Sequence, residues 1–219
     1  MLGIMLASWL VGARFISRFK QYAATPLSSG LTGEEVAQRM LAEHNIKDVQ
    51  VISTGGQLTD HYDPTKRTVN LSQEVYYGRS VAAAAVAAHE VGHAVQHATA
   101  YSWLQFRSAM VPALSVTSRI MPWILLAGVL TLQAFPQLLL VGIVLFAGTT
   151  LFTFVTLPVE FDASRRALVW LDRSNIAQSQ QHTMAKDALN WAAMTYVIAA
   201  LSSLATLLYY VSIFMNRRD

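Results

Sequence analysis

The sequence predicts an α-helical membrane protein of about four membrane helices that carries one small α+β domain. Three observations lead there. Only 13% of the 219 residues are charged and 53% are hydrophobic, where an ordinary soluble domain carries about a quarter charged. Four stretches are apolar enough to enter a bilayer, which takes about 20 residues per helix. The region between the first and second of them, about 20–118, is the only polar part of domain size.

The first stretch, within 1–19, reads "MLGIMLASWLVGARFIS" and leads into Arg18 and Lys20. No charged region precedes it and no small-residue cleavage site follows, so a retained anchor helix is expected rather than a removed signal peptide. The polar region opens with "LTGEEVAQRMLAEHNI". Thr32 suits an N-cap, Glu34 and Glu35 the first turn, and Val36, Met40 and Leu41 one apolar face, which together mark an amphipathic helix. "DVQVIST" alternates as a strand does, and "GGQLTDHYDPTKRTVNLS" holds two strand-like runs around a tight turn at Asp63-Pro64. An alanine-rich helix around 82–100 completes the domain.

A transmembrane hairpin is expected over 119–157, with "IMPWILLAGVLTLQAF" and "QLLLVGIVLFAGTTLFTFVTL" turning at Phe135-Pro136-Gln137. Pro158 closes the second arm and, as a residue favoured in a first turn, opens a new helix over 158–190. The last span lies in 191–219, where Trp and Tyr suit the two interfaces. Gly142 and Gly148 offer small surfaces for helix packing; oligomeric state is not legible.

The net charge of +3 comes from sixteen scattered Lys and Arg. A positive-inside bias explains them better than a nucleic-acid partner, and no nucleic acid is expected. No cysteine is present, which excludes disulfides and thiolate metal sites, so any metal must be held by imidazole and carboxylate.

The alanine helix contains His89-Glu90-Val91-Gly92-His93. On a helix, residues four apart share a face, so both imidazoles can converge on one tetrahedral Zn(II), while Glu90 stands where it can take a proton from the zinc-activated water. With six His and six Glu in 219 residues, roughly 0.004 accidental matches to this pattern are expected. Core histidines are the ordinary alternative, but a buried unpaired Glu is rare.

A catalytic zinc normally takes three protein ligands and leaves a fourth position open. His97 lies about 12 Å along the helix from His89 at 1.5 Å per residue, too far to join the same shell, so it reads as a supporting or surface residue. Glu160 is the better third ligand, being the first acidic residue after Glu90. Asp162 competes, and a helix start favouring negative charge is the ordinary explanation of both. Two membrane crossings separate Glu160 from the histidines, which returns it to their side. That side holds fourteen of the sixteen Lys and Arg, against Arg217 and Arg218 on the other, which favours a cytoplasmic active site in a bacterial plasma membrane.

Taken together, "LTDHYDP", "LS" at 71–72, "AAHEVGHAVQH" and "LPVEFDASRRAL" resemble the bacterial neutral zinc metallopeptidases of the YugP type, membrane-anchored zincins. The resemblance covers nearly the whole chain. More distantly the chain is similar to the HtpX-like and prenyl-protein-protease gluzincins, whose third ligand is the Glu of an E-x-x-x-D motif. It implies a zincin-like domain holding one Zn(II), with His89, His93 and Glu160 as ligands and Glu90 as general base. Where those relatives place Asp four residues after the ligand Glu, this chain has Ser164, and Asp162 is the available substitute.

The expected activity is zinc-dependent hydrolysis of a peptide or membrane-protein substrate. His61, Tyr62 and Arg165 are the candidate donors to the oxyanion, and the strand "RTVNLS" is a candidate for pairing with substrate backbone. Two alternatives stay open: a non-catalytic membrane scaffold stabilised by zinc, and an intramembrane metalloprotease of the site-2 kind. A titratable cluster at mid-bilayer would be costly, which weighs against the second.

Overall fold

The computed structural model describes residues 2–216; the Arg217-Arg218 pair lies outside them. Helix α1 (Leu2–Ala23) is followed by α2 (Gly33–Glu43), strands β1 (Gln50–Thr54), β2 (His61–Asp63) and β3 (Thr68–Ser72), and the short α3 (Gln73–Tyr76). Then come α4 (Val81–Ala98), which carries the histidines, and three long helices, α5 (Ser102–Leu130), α6 (Pro136–Arg173) and α7 (Gln180–Met215).

Local chemistry accounts for the starts of the domain elements. Thr32 caps α2 as expected: its Oγ1 accepts from the Glu35 N–H at 3.1 Å, and the Glu35 carboxylate accepts from the Thr32 N–H at 2.7 Å, so two orphan donors are satisfied reciprocally. Asp63 builds the turn between β2 and β3 by accepting from the Thr65 and Lys66 amides at 2.9 and 3.0 Å. Ser80 caps α4, its Oγ accepting from the Ala83 N–H at 3.1 Å.

The sheet order is β1-β3-β2, with β1 parallel and β2 antiparallel to β3. This corrects one expectation. The strand "RTVNLS" is central and buried at every position of β3; it pairs with β1 over Thr68–Ser72 and with β2 over Thr68–Asn70, so over most of its length it has no free edge for a substrate strand. The edges are β1 and β2.

Among the described residues three helices, α5, α6 and α7, are long and apolar enough to cross a membrane. The helix α1 is not among them, so three of the four expected spans meet this measure. It lies along α7, with Ser8 Oγ 3.5 Å from Ser202 Oγ and the Tyr22 hydroxyl donating to Asp187 at 2.7 Å. Trp9 and Trp123 are 67% and 71% exposed, as rings facing lipid would be. The hairpin turn falls at Thr131–Phe135, with Pro136 opening α6. Gly142 serves this hairpin, since an added Cβ would meet the Leu125 side chain at 2.7 Å, whereas Gly148 has nothing near it.

Pro158 does not start a helix. It sits inside α6, which runs unbroken to Arg173. A proline inside a helix costs about 3 kcal/mol or more, but here Val155, Val159, Ala163, Ala167 and Leu171 recur every four residues and are all buried. This continuous stripe packs on α4 and α7 and outweighs the lost backbone hydrogen bond.

Candidate metal centre

Small side chains bring the site together. Alanines over 82–88 leave α4 almost without bulk, and α2, α6 and α7 all close on it. A close approach falls at Gly92, where an added Cβ would lie 2.6 Å from the Ala163 carbonyl oxygen. There α4 and α6 touch backbone to backbone. Gly92 lies between His89 and His93, and Ala163 is one turn after Glu160, so this single contact sets the carboxylate beside both rings.

Glu160 Oε2 stands 3.3 Å from His89 Nε2 and 3.6 Å from His93 Nε2. Ligand atoms of these three side chains all lie within 4.8 Å of one another, and among the described residues no other group of three or more acidic or histidine side chains is so arranged. Glu160 is 2% exposed, and no hydrogen bond satisfies its Oε2. A buried, unsatisfied carboxylate oxygen facing two imidazole nitrogens fits a divalent cation. Two nitrogens and one oxygen match zinc's preferences, with no fourth protein ligand in the cluster.

The outer face of His93 fixes its tautomer. Gln96 Nε2 donates to the Val159 carbonyl at 2.8 Å and to Asp162 at 3.0 Å, so its Oε1, 3.1 Å from His93 Nδ1, must accept. His93 therefore carries its proton on Nδ1 and presents a bare Nε2. His89 Nδ1 meets Ser164 Oγ at 3.1 Å, and Ser164 thus takes the position at which the distant relatives have Asp. Asp162 is not in the cluster; it pairs with Arg165 and Arg166 and steadies Gln96. Gln96→Leu is expected to weaken zinc binding about 10–100-fold, the usual cost of losing a ligand's orienting partner, with α4 intact by circular dichroism; zinc titration checks it.

Glu90 is buried beside the rings. Burial pushes its carboxyl up from the ordinary range, the two imidazoles oppose this, and Glu160 and Asp60 add to it, which suits a group that accepts a proton near neutral pH. For His93, burial works against the charged form, yet Glu160, Glu90 and Gln96 outweigh it and its pKa moves up. The same negative surroundings favour a bound cation.

Two cavities meet at this cluster, and His89, Glu90, Glu160 and Tyr196 line both. His61 and Tyr62 border the second, but His61 Nδ1 is 2.7 Å from the Thr59 carbonyl and the Tyr62 hydroxyl is 2.8 Å from His97 Nδ1. His97 accordingly belongs with Tyr62, away from the cluster. Arg165 is 73% exposed and lines neither cavity. Gln96 escaped the sequence reading, and so did two residues on the cavity walls. Arg107 on α5 places Nη1 3.8 Å from Glu160 Oε1, and its buried Nε has no partner; Tyr196 comes from α7. An arginine in a helix apolar enough to span a membrane is itself a functional signal; α5 carries two, Arg107 and Arg119, and only the first meets the cluster.

Comparisons with known proteins point to a class of protein. The chain is 44% identical over 203 residues to a Bacillus subtilis protein named "Putative membrane protease YugP", covering 93% of this chain and 89% of that one. No solved structure matches it. The family described as "Putative neutral zinc metallopeptidase" matches residues 1–215, and with the histidine pair, the facing carboxylate and the long apolar helices in place, the chain belongs to that zinc metallopeptidase family.

Proposed function

We propose that this protein is a membrane-bound zinc metalloendopeptidase in which His89, His93 and Glu160 hold one Zn(II) per chain and Glu90 is the general base. The observation that carries the reading is the unsatisfied Glu160 Oε2 facing both Nε2 atoms beside a buried Glu90. The ion, when bound, supplies an activated water and polarises the substrate carbonyl. The chain does the rest. Ser164 and Gln96 hold the imidazoles in register, and Glu90 takes the water's proton and passes it to the leaving amine. Arg107, at the wall of the second cavity, offers positive charge where the carbonyl oxygen becomes negative, with His61 and Tyr62 on the same wall. Three ligands without a fourth protein group favour catalysis over a purely structural ion.

The substrate is a peptide segment, and the wet, charged cluster belongs at the membrane surface rather than at mid-bilayer. The excess of Lys and Arg favours the cytoplasmic side of a bacterial plasma membrane, with α1, which packs along α7, as a fourth membrane helix. Metal analysis tests the ligand set. The purified wild type is expected to hold one zinc per chain, and Glu160→Ala to bind it more than about 100-fold more weakly, beyond the loss of an orienting partner. Wild-type zinc content in that variant would remove Glu160 from the set.

A further inference from the structure

We infer that the cavity between α1 and α7 is a subsite for one large apolar side chain of the substrate, next to the bond that is cut. The inference rests on the peptidase reading and assigns α1 a role in recognition.

The two cavities at the metal cluster differ in kind. One, about 380 Å³, is bordered by His61, Tyr62, Arg107 and Ser108 and is polar in part. The other, about 230 Å³, is walled by Phe15 and Phe19 from α1, Val86 from α4, and Leu189 and Ala192 from α7. Because His89, Glu90 and Glu160 lie on the border of both, a peptide whose carbonyl sits at the cluster sends one flank into each.

Size and charge define what the apolar side accepts. Its volume matches roughly eight waters at about 30 Å³ each, below the roughly 300–1,000 Å³ of sites that enclose whole small molecules, and so suits a single side chain. No Lys or Arg lines it, so an acidic side chain would face Asp60, Glu90 and Glu160 without a cation. Asp60 does not call for a cationic side chain, since it already accepts from the Ser72 N–H at 2.7 Å and from the Ser72 hydroxyl at 3.2 Å. What remains is burial of apolar surface against two rings whose centroids lie 6.0 Å apart. Arg18 and Tyr22, both bound to Asp187 on α7, hold that face of α1 in position.

The test uses the full zinc-loaded chain in detergent micelles, with empty micelles as blank, and peptides bearing Trp, Phe, Leu, Ala, Lys or Asp on either side of one bond. Wild type is expected to favour Phe and Leu over Ala by at least about tenfold in kcat/KM, the scale at which apolar pockets discriminate, and to disfavour Lys and Asp. Ala192→Phe, which fills the cavity, is expected to bring the Phe-to-Ala ratio to about one or below. Phe15→Ala enlarges the cavity from the other helix and is expected to move the optimum toward Trp.

Affinities of the same peptides for Glu90→Gln and for Glu90→Gln combined with Ala192→Phe give a second ranking that needs no turnover. A preference for Lys or Asp, or a Phe-to-Ala ratio unmoved by both wall variants, overturns the subsite. A wild type that cleaves none of the peptides overturns the peptidase reading instead, and the affinity ranking then decides the subsite by itself.

Discussion

Glu90→Gln is expected to lower kcat/KM for peptide hydrolysis by about 10²–10⁴ while the protein keeps its zinc. That range is what a positioned proton-transfer group contributes. Glutamine has nearly the same shape as glutamate and cannot take a proton from water, so cavity and ligands stay as they are. Glu90 is not one of the three clustered ligand groups, and the metal content of the variant should match wild type. Zinc analysis beside a cleavage assay separates the outcomes. Full activity in the variant would remove Glu90 as the base. Loss of zinc together with activity would show that Glu90 helps to hold the ion.

Gly92→Ala is expected to disrupt the centre without touching a ligand. In an ordinary helix this change stabilises by about 1 kcal/mol, because glycine is a poor helix former. Here the new Cβ would lie 2.6 Å from the Ala163 carbonyl oxygen, and a backbone atom cannot rotate away as a side chain can. The strain falls in the usual overpacking range of about 1–3 kcal/mol and is relieved only by α6 moving off α4. That movement carries Glu160 away from both imidazoles. Lower thermal stability and weaker zinc binding are expected together, by scanning calorimetry and zinc titration. A variant more stable than wild type with unchanged zinc affinity would show that the close approach is not what positions Glu160.

Much of the fold was legible because its signals are local. The Thr32 cap and the strand–turn–strand around Asp63 each depend on a few adjacent residues and are where the sequence places them, while the hairpin turn at Thr131–Phe135 comes just before the expected Phe135-Pro136-Gln137. The histidine pair was legible for the same reason: spacing of four on a helix already puts both rings on one face. Pro158 misled because local proline chemistry says stop, whereas the buried stripe from Val155 to Leu171 is recognised only when α4 and α7 are present to cover it. The strand "RTVNLS" looked like an available edge, because pairing order is a property of the sheet and not of the strand.

By itself, then, the sequence determined a helix with two histidines on one face, a glutamate beside them and the apolar lengths around it, all properties written within a turn or a span. The sequence offered Glu160 with Asp162 competing, and the tertiary structure decided between them by bringing Glu160 to the pair. Glu160 reaches the histidines across seventy positions because Gly92 lets two backbones touch, and Ser164, Gln96 and Arg107 take their parts from the helices they share that contact region with. Such distant pairings leave no periodic trace in a single chain, since they depend on how helix faces pack and not on how residues follow one another.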